Sequence, residues 1–138
     1  MRRKAASLLA ALAVGAALLS ACRGSPLPEG MEEEALLDAG REVMAWLVAG
    51  EYQTVHDALR SDVAETVSAD DLQALALRQL DGAGVYKQVD SAMVTGQSSG
   101  GEAYGVAVLY CDFTKKDVLF RLAFDPEMRL IGLEIQRQ

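Results

Sequence analysis

The chain is poor in the residues from which metal and redox centres are built. Its 138 residues include two cysteines, Cys22 and Cys111, and a single histidine, His56. That supply gives no spacing resembling a zinc site and no disulfide framework, so the fold rests on its core. Aromatic residues make up 6% of the chain, and there are only three prolines. Basic charge is also scarce. The chain carries 13 Lys and Arg against 20 Asp and Glu, a formal net charge of −7. Three of the basic residues, Arg2, Arg3 and Lys4, stand at the extreme N-terminus; the remainder of the chain holds ten against twenty, a net charge of −10 with His56 neutral. A domain this acidic is repelled by phosphate backbones and by anionic headgroups, which argues against nucleic acid as a partner and against electrostatic attachment to a membrane.

Catalytic constellations are equally sparse. His56 adjoins Asp57, with Ser61 and Ser68 downstream, but no G-x-S-x-G elbow presents a nucleophile. A thiol dyad of Cys111 with His56 is disfavoured because the strand pattern points Cys111 inward, where a thiol is inert. The run Gly96 to Gly101 lacks the following helix and Lys-Ser/Thr of a phosphate cradle and reads as a flexible hairpin tip. Glu32, Glu33 and Glu34 project in three directions from a helix start and form no cation site. No cofactor, metal or catalytic residue is therefore expected.

What the chain does have is an apolar N-terminal run. Ala5 to Ala21 contains only Ala, Leu, Val, Gly and Ser and follows the basic cluster. A positive start, an apolar stretch and small residues at its end are the parts of a secretory signal. Leu19-Ser20-Ala21-Cys22 resembles the bacterial lipobox, in which the cysteine thiol is alkylated with diacylglycerol and the chain is cut just before it. The resulting expectation is a signal peptide over 1–21 and a lipid-modified Cys22 that anchors the protein to the cell membrane or outer membrane on the extracytoplasmic side. Two or more acyl chains hold firmly where one is released, at roughly 0.8 kcal/mol per buried CH₂. Residues 22–30, with Pro26, Pro28, Gly24 and Gly30, read as a flexible tether, and residues 31–138 as one small domain.

Within that domain, Leu36, Val43, Met44 and Leu47 recur at helical spacing from Met31 to Ala49, with Gly50 placed to end the helix. A shorter helix is expected over Tyr52 to Leu59 and a loose turn over Val63 to Val67. Ser68 and Asp71 form a capping-box pattern that opens a third helix through Leu72, Leu75, Ala76 and Leu80. After Gly84 the period changes to alternation, with strands at about Val85 to Thr95, Glu102 to Phe113, Asp117 to Asp125 and Leu130 to Gln136. The order predicts an α+β fold in which three N-terminal helices pack on a curved, mainly antiparallel four-stranded sheet. Tight turns at Thr114 to Asp117 and Asp125 to Met128 would set Phe113 opposite Val118 and Phe124 opposite Arg129. The helix-facing side would then gather Leu109, Cys111, Phe113, Val118, Phe120, Leu122, Phe124, Ile131, Leu133 and Ile135.

The same register leaves Tyr104, Val106, Val108, Tyr110, Leu119, Arg121, Ala123, Leu130 and Glu134 on the other face. A solvated sheet face normally alternates to polar residues, and half of this one is apolar. Val106, Val108, Tyr110 and Leu119, with Arg121 opposite Tyr110 as a polar rim, therefore form the candidate face for a protein partner or for a homodimer. Cover from within the same chain, by strand curvature or by the tether folding back, is the competing reading.

The order of residues is also familiar. The stretch VMAWLVAGEYQTVHDALRSDVAETVSADDLQAL, then GAGVYKQV, then VAVLYCDFTKKDVLFRLAFDPEMRLIGLEI resembles the family known as domain of unknown function 3887. The resemblance rests on Ala49-Gly50-Glu51-Tyr52, the Leu72 helix, Gly84 with Tyr86, Cys111 with Phe113, Phe124-Asp125 and Ile131-Gly132-Leu133. It covers about residues 38–136. It implies a cone of the cystatin-like and nuclear transport factor 2-like superfamily, here as a stand-alone lipoprotein, and it brings no catalytic residues. Two functions follow: a non-catalytic binding or interaction module, or a small pocket enzyme of isomerase or hydrolase type, or ligand carrier, of that superfamily.

Overall fold

The computed structural model describes residues 25–138. The signal expected over 1–21 and Cys22 lie outside the described residues. Four helical segments precede four strands: α1 (Glu33–Ala49), α2 (Tyr52–Ala58), α3 (Ser61–Ala64) and α4 (Ala69–Leu80), then β1 (Tyr86–Ser99), β2 (Glu102–Phe113), β3 (Asp117–Phe124) and β4 (Leu130–Arg137). The strands form one antiparallel meander in the order β1-β2-β3-β4. The α+β reading is thus correct, with one addition: the turn expected over Val63 to Val67 begins with the single-turn helix α3.

Helix α1 buries Leu36, Val43, Met44 and Leu47, the stripe its spacing predicts, and ends at Gly50 in a left-handed conformation (φ 79°). Its buried face also carries Gly40, where an added Cβ would lie 2.7 Å from the Cβ of Ala107 on β2. A glycine inside a helix costs about 1 kcal/mol relative to alanine, and here it lets the helix axis approach the sheet. Helix α4 opens with the expected capping box. Ser68 Oγ accepts from the Asp71 N–H and Asp71 Oδ2 from the Ser68 N–H, both at 3.0 Å, and the Ser68 N–H holds the Asp71 carboxyl below the usual range.

The strands differ from expectation in three places. First, the hairpin tip between β1 and β2 is tight: the ladder runs to Ser99 and Glu102, and Gly100 and Gly101, at φ 58° and 82°, make a two-residue turn whose twist matches that of the strands. Second, both later registers are displaced by two residues from those predicted. Cys111 pairs with Val118 and Leu109 with Phe120, while Phe120 pairs with Ile135 and Leu122 with Leu133. A two-residue slip preserves the face each side chain points to, so the inner face survives the error. Third, an irregularity between Ala123 and Phe124 sets Phe124 opposite Leu130. Leu130 is therefore fully buried in the main core, not on the outer face, whereas Ile131 is only partly buried and stands outside that core. Two further shifts in β1, after Tyr86 and after Val89, allow Tyr86, Val89 and Ala92, spaced by three, all to pack against the main core.

The main core lies between helices and sheet. Phe120, Leu36, Leu47, Leu109, Leu122 and Val55 are fully buried there. Cys111 is buried among them, and burial, with the neighbouring Asp112 charge, pushes its thiol up to about 11. Against Phe113 the Tyr86 ring packs edge-on, with centroids 5.6 Å apart.

Candidate functional site

On the face of the sheet turned away from the helices, Val106, Val108 and Leu119 form a second apolar cluster, separate from the main core, against which Met93, Tyr104 and Ala123 pack. No helix among the described residues joins this cluster. Their burial, to 3–8% exposure, arises because each sits between side chains of neighbouring strands: Val106 between Thr95 and Ala123, Val108 between Met93 and Arg121. Leu119 lies between Tyr110 and Gln136. Tyr110, by contrast, is 43% exposed. Arg121 is opposite Val108, not Tyr110 as predicted, and directly opposite Glu134, with Nε 3.6 Å from Oε1.

These residues make a platform with polar ends. Tyr104, Val106, Arg121, Leu133 and Glu134 are among the residues that line an open depression of about 180 Å³, with Gln97, Ala123 and Gly132. Along one side the Tyr104 hydroxyl donates to Gln97 Oε1 at 3.0 Å; Arg121 and Glu134 form the other. At the opposite end, Tyr110 borders a notch of about 280 Å³ that also includes Asp90, Asp112 and Asp117. An apolar floor, an exposed phenol and carboxylates at the margin suit recognition; the face presents no paired nucleophile and base. The five expected face residues are therefore contiguous, but Val106, Val108 and Leu119 lie beneath neighbouring side chains, leaving Tyr110 and Arg121 to meet solvent.

The groups considered for catalysis have other partners. His56 Nε2 is 3.2 Å from the Ala64 carbonyl, Asp57 accepts from Gln53, and Ser68 caps α4. Among the described residues, no group of His, Cys, Asp and Glu is arranged to hold a metal ion. No helix among them is long and apolar enough to cross a membrane.

One charged assembly joins a turn legible in the sequence to a residue far from it. Asp125, fully buried at the β3–β4 turn, accepts through Oδ1 from the N–H groups of Glu127 (3.0 Å) and Arg129 (2.8 Å). Through Oδ2 it accepts from Arg129 Nε (2.8 Å) and Arg60 Nη1 (3.2 Å). Burial alone would raise this carboxyl, but the hydrogen bonds from Arg129 and Arg60 outweigh it and hold the carboxyl below the usual range. Arg60 also binds Asp62 and Glu102, which raise its own value further above the arginine norm. Its backbone N–H donates to the Leu130 carbonyl at 2.8 Å, so the α2–α3 link is fastened to the first residue of β4. Every oxygen of Asp125 is occupied, which makes this a structural clamp. The local signal was the Asp125-Pro126 turn with Arg129 four residues on; Arg60, 65 residues away, gave none.

Helices followed by an antiparallel meander define an α+β domain, and an NMR structure of a protein from Ruminococcus gnavus ATCC 29149 is similar to it. The likeness has a TM-score of 0.69 and covers 79% of this chain and 95% of that one; at 20% identity it is a likeness of fold alone. The chain belongs to the family described as Protein of unknown function (DUF3887), which residues 40–133 match. No curated protein matches the chain in sequence.

Proposed function

We propose that this protein is a non-catalytic interaction domain, anchored by lipid on Cys22 to the extracytoplasmic side of a cell or outer membrane, that presents the outer face of its sheet to a protein partner or to a second copy. The observation that carries the proposal is the second apolar cluster: three aliphatic residues held beneath Met93, Tyr104 and Arg121, with Tyr110 exposed beside them. A face that kept only its own solubility would alternate to polar residues at Val106 and Val108. The helix-before-sheet order accords with the nuclear transport factor 2-like relationship. The basic N-terminus, apolar run and Leu19-Ser20-Ala21-Cys22 support the anchor.

The test is capture by cross-linking in native membranes, together with sedimentation of the purified domain, for the wild type and for Tyr110→Asp. The variant changes an exposed residue, so the fold persists and a specific cross-linked species or a dimer is lost. Identical cross-linking patterns and identical sedimentation for the two proteins would refute the face.

A further inference from the structure

We infer that the domain stands on the lipid headgroup surface by the β1–β2 hairpin end, with its strands directed away from the bilayer. This inference rests on the lipid-anchor reading of Cys22 and goes beyond it by fixing which end of the fold meets the membrane.

Its basis is the course of the chain ahead of α1. The Ser25 carbonyl accepts from the Gly96 N–H at 2.9 Å, and the Ser25 N–H donates to Thr95 Oγ1 at 3.0 Å. Pro26 then crosses directly over Gly96, where a Cβ would overlap the Pro26 carbonyl. Leu27 and Met31 continue onto the inner face, where a Cβ on Gly105 would lie 3.3 Å from Leu27 and 3.0 Å from Met31. Met31 is buried, and its N–H donates to the Pro28 carbonyl at 3.1 Å. Ser25 to Met31 is thus a strap fastened to the edge of β1 near its C-terminal end. Only three peptide links separate Cys22 from Ser25, a reach of about 10 Å when fully extended. An acyl group on Cys22 therefore holds the neighbouring hairpin close to the headgroups.

The hairpin tip itself is uncharged, and the β3–β4 turn with Glu127, and Asp62 beside Arg60, share its end of the sheet. Residues 91–101 contain no charged side chain although the domain as a whole is strongly acidic. The hairpin offers Gln97, Ser98 and Ser99 with Gly100 and Gly101, while the carboxylate of Glu102 is engaged by Arg60. The neutral hydroxyl and amide groups of the tip meet a headgroup layer without repulsion, and Arg60 and Arg129 pair the carboxylates of Asp62, Glu102, Asp125 and Glu127 behind it. The opposite end, the turn at Thr114 to Lys116, lies a strand length away, roughly 35–40 Å for the residues of β2. The outer sheet face then stands upright beside the membrane, open to a partner.

The experiment uses the acylated full chain in phosphatidylcholine vesicles carrying a headgroup-linked quencher. Ser99→Cys and Lys115→Cys each supply one reactive thiol, since Cys22 is capped by its lipid and Cys111 is buried. A fluorophore at residue 99 is quenched several-fold more than one at residue 115. A Gly/Ser insert ahead of Ser25 lengthens the free stalk without touching the domain and shrinks that contrast. Equal quenching at the two positions in a chain whose mass shows the lipid overturns the orientation alone. A mass without lipid on Cys22 overturns the anchor reading and the orientation with it.

Discussion

The two faces of the sheet bury aliphatic side chains almost equally well and do so by different means. On the inner face, Leu109, Phe120 and Leu122 lie under α1 and its neighbours, so their cover is another layer of backbone whose own stripe of Leu36, Met44 and Leu47 requires the contact. On the outer face, Val106, Val108 and Leu119 are covered by side chains of adjacent strands. A layer of secondary structure leaves only by unfolding; a methionine, tyrosine or arginine side chain moves by changing rotamer. Equal burial in an isolated domain therefore conceals unequal commitment. The inner face is spent on stability, and under the proposed function the outer face keeps apolar surface that a partner reaches at the cost of rearranging a few flexible side chains.

The contrast is broken most severely from the inside. Phe120→Ala empties a fully enclosed site and is expected to cost about 3–5 kcal/mol of unfolding free energy in urea titrations. Cys111 reports the same event: its buried thiol, pushed up to about 11, resists alkylation in the folded wild type and reacts upon unfolding, so Phe120→Ala accelerates labelling. Rapid labelling of the native wild type would place the thiol at the surface and contradict the inner face.

The clamp at the edge of the sheet comes next. Asp125→Asn retains the shape but weakens the ion pairs to Arg60 and Arg129, at an expected cost of about 1–3 kcal/mol. Because the folded carboxyl lies below its ordinary value of 3.8, its contribution is fully present above that value and is lost as pH falls through the folded value. Asp62 and Asp71 are lowered likewise and titrate in the same acid window, so the difference between wild type and variant isolates Asp125. The difference in unfolding free energy is constant from neutral pH down to about pH 4 and narrows below it. A difference that grows on acidification would contradict the clamp.

The smallest effects sharpen the comparison on the outer face itself. Val108→Ala removes two methyl groups from a covered site and costs about 1–1.5 kcal/mol, whereas Tyr110→Ala stays within about 0.5 kcal/mol of the wild type. Equal losses at both positions would mean that Tyr110 serves the monomer as Val108 does.

How far the sequence carried depended on range. The helix stripe, the Ser68–Asp71 capping box and the Gly50 stop are signals within one or two turns, and each is present in the structure. Alternation identified the inner face of β2 and β3, because a two-residue slip leaves side-chain direction unchanged. Alternation failed where the backbone departs from period two: at Leu130, which an irregularity turns inward, and in β1, where two shifts bring Tyr86, Val89 and Ala92 to one side. Composition marked Pro26 and Pro28 as irregular backbone without telling where that backbone docks. The residues of the outer face were legible as apolar, but the cover that Met93 and Tyr104 give them depends on cross-strand neighbours and on side-chain length, which no single strand reveals.

The claim that the outer face is held ready for a partner is tested most directly by hydroxyl-radical footprinting of the full chain in native membranes and as the purified domain. Tyr110 and Met93 are expected to be oxidised readily in the purified domain and to be protected in membranes, while Val85, exposed beyond the start of β1, reacts alike in both. Equal oxidation of Tyr110 and Met93 in the two preparations would show that nothing covers the face where the protein resides, and would contradict the claim.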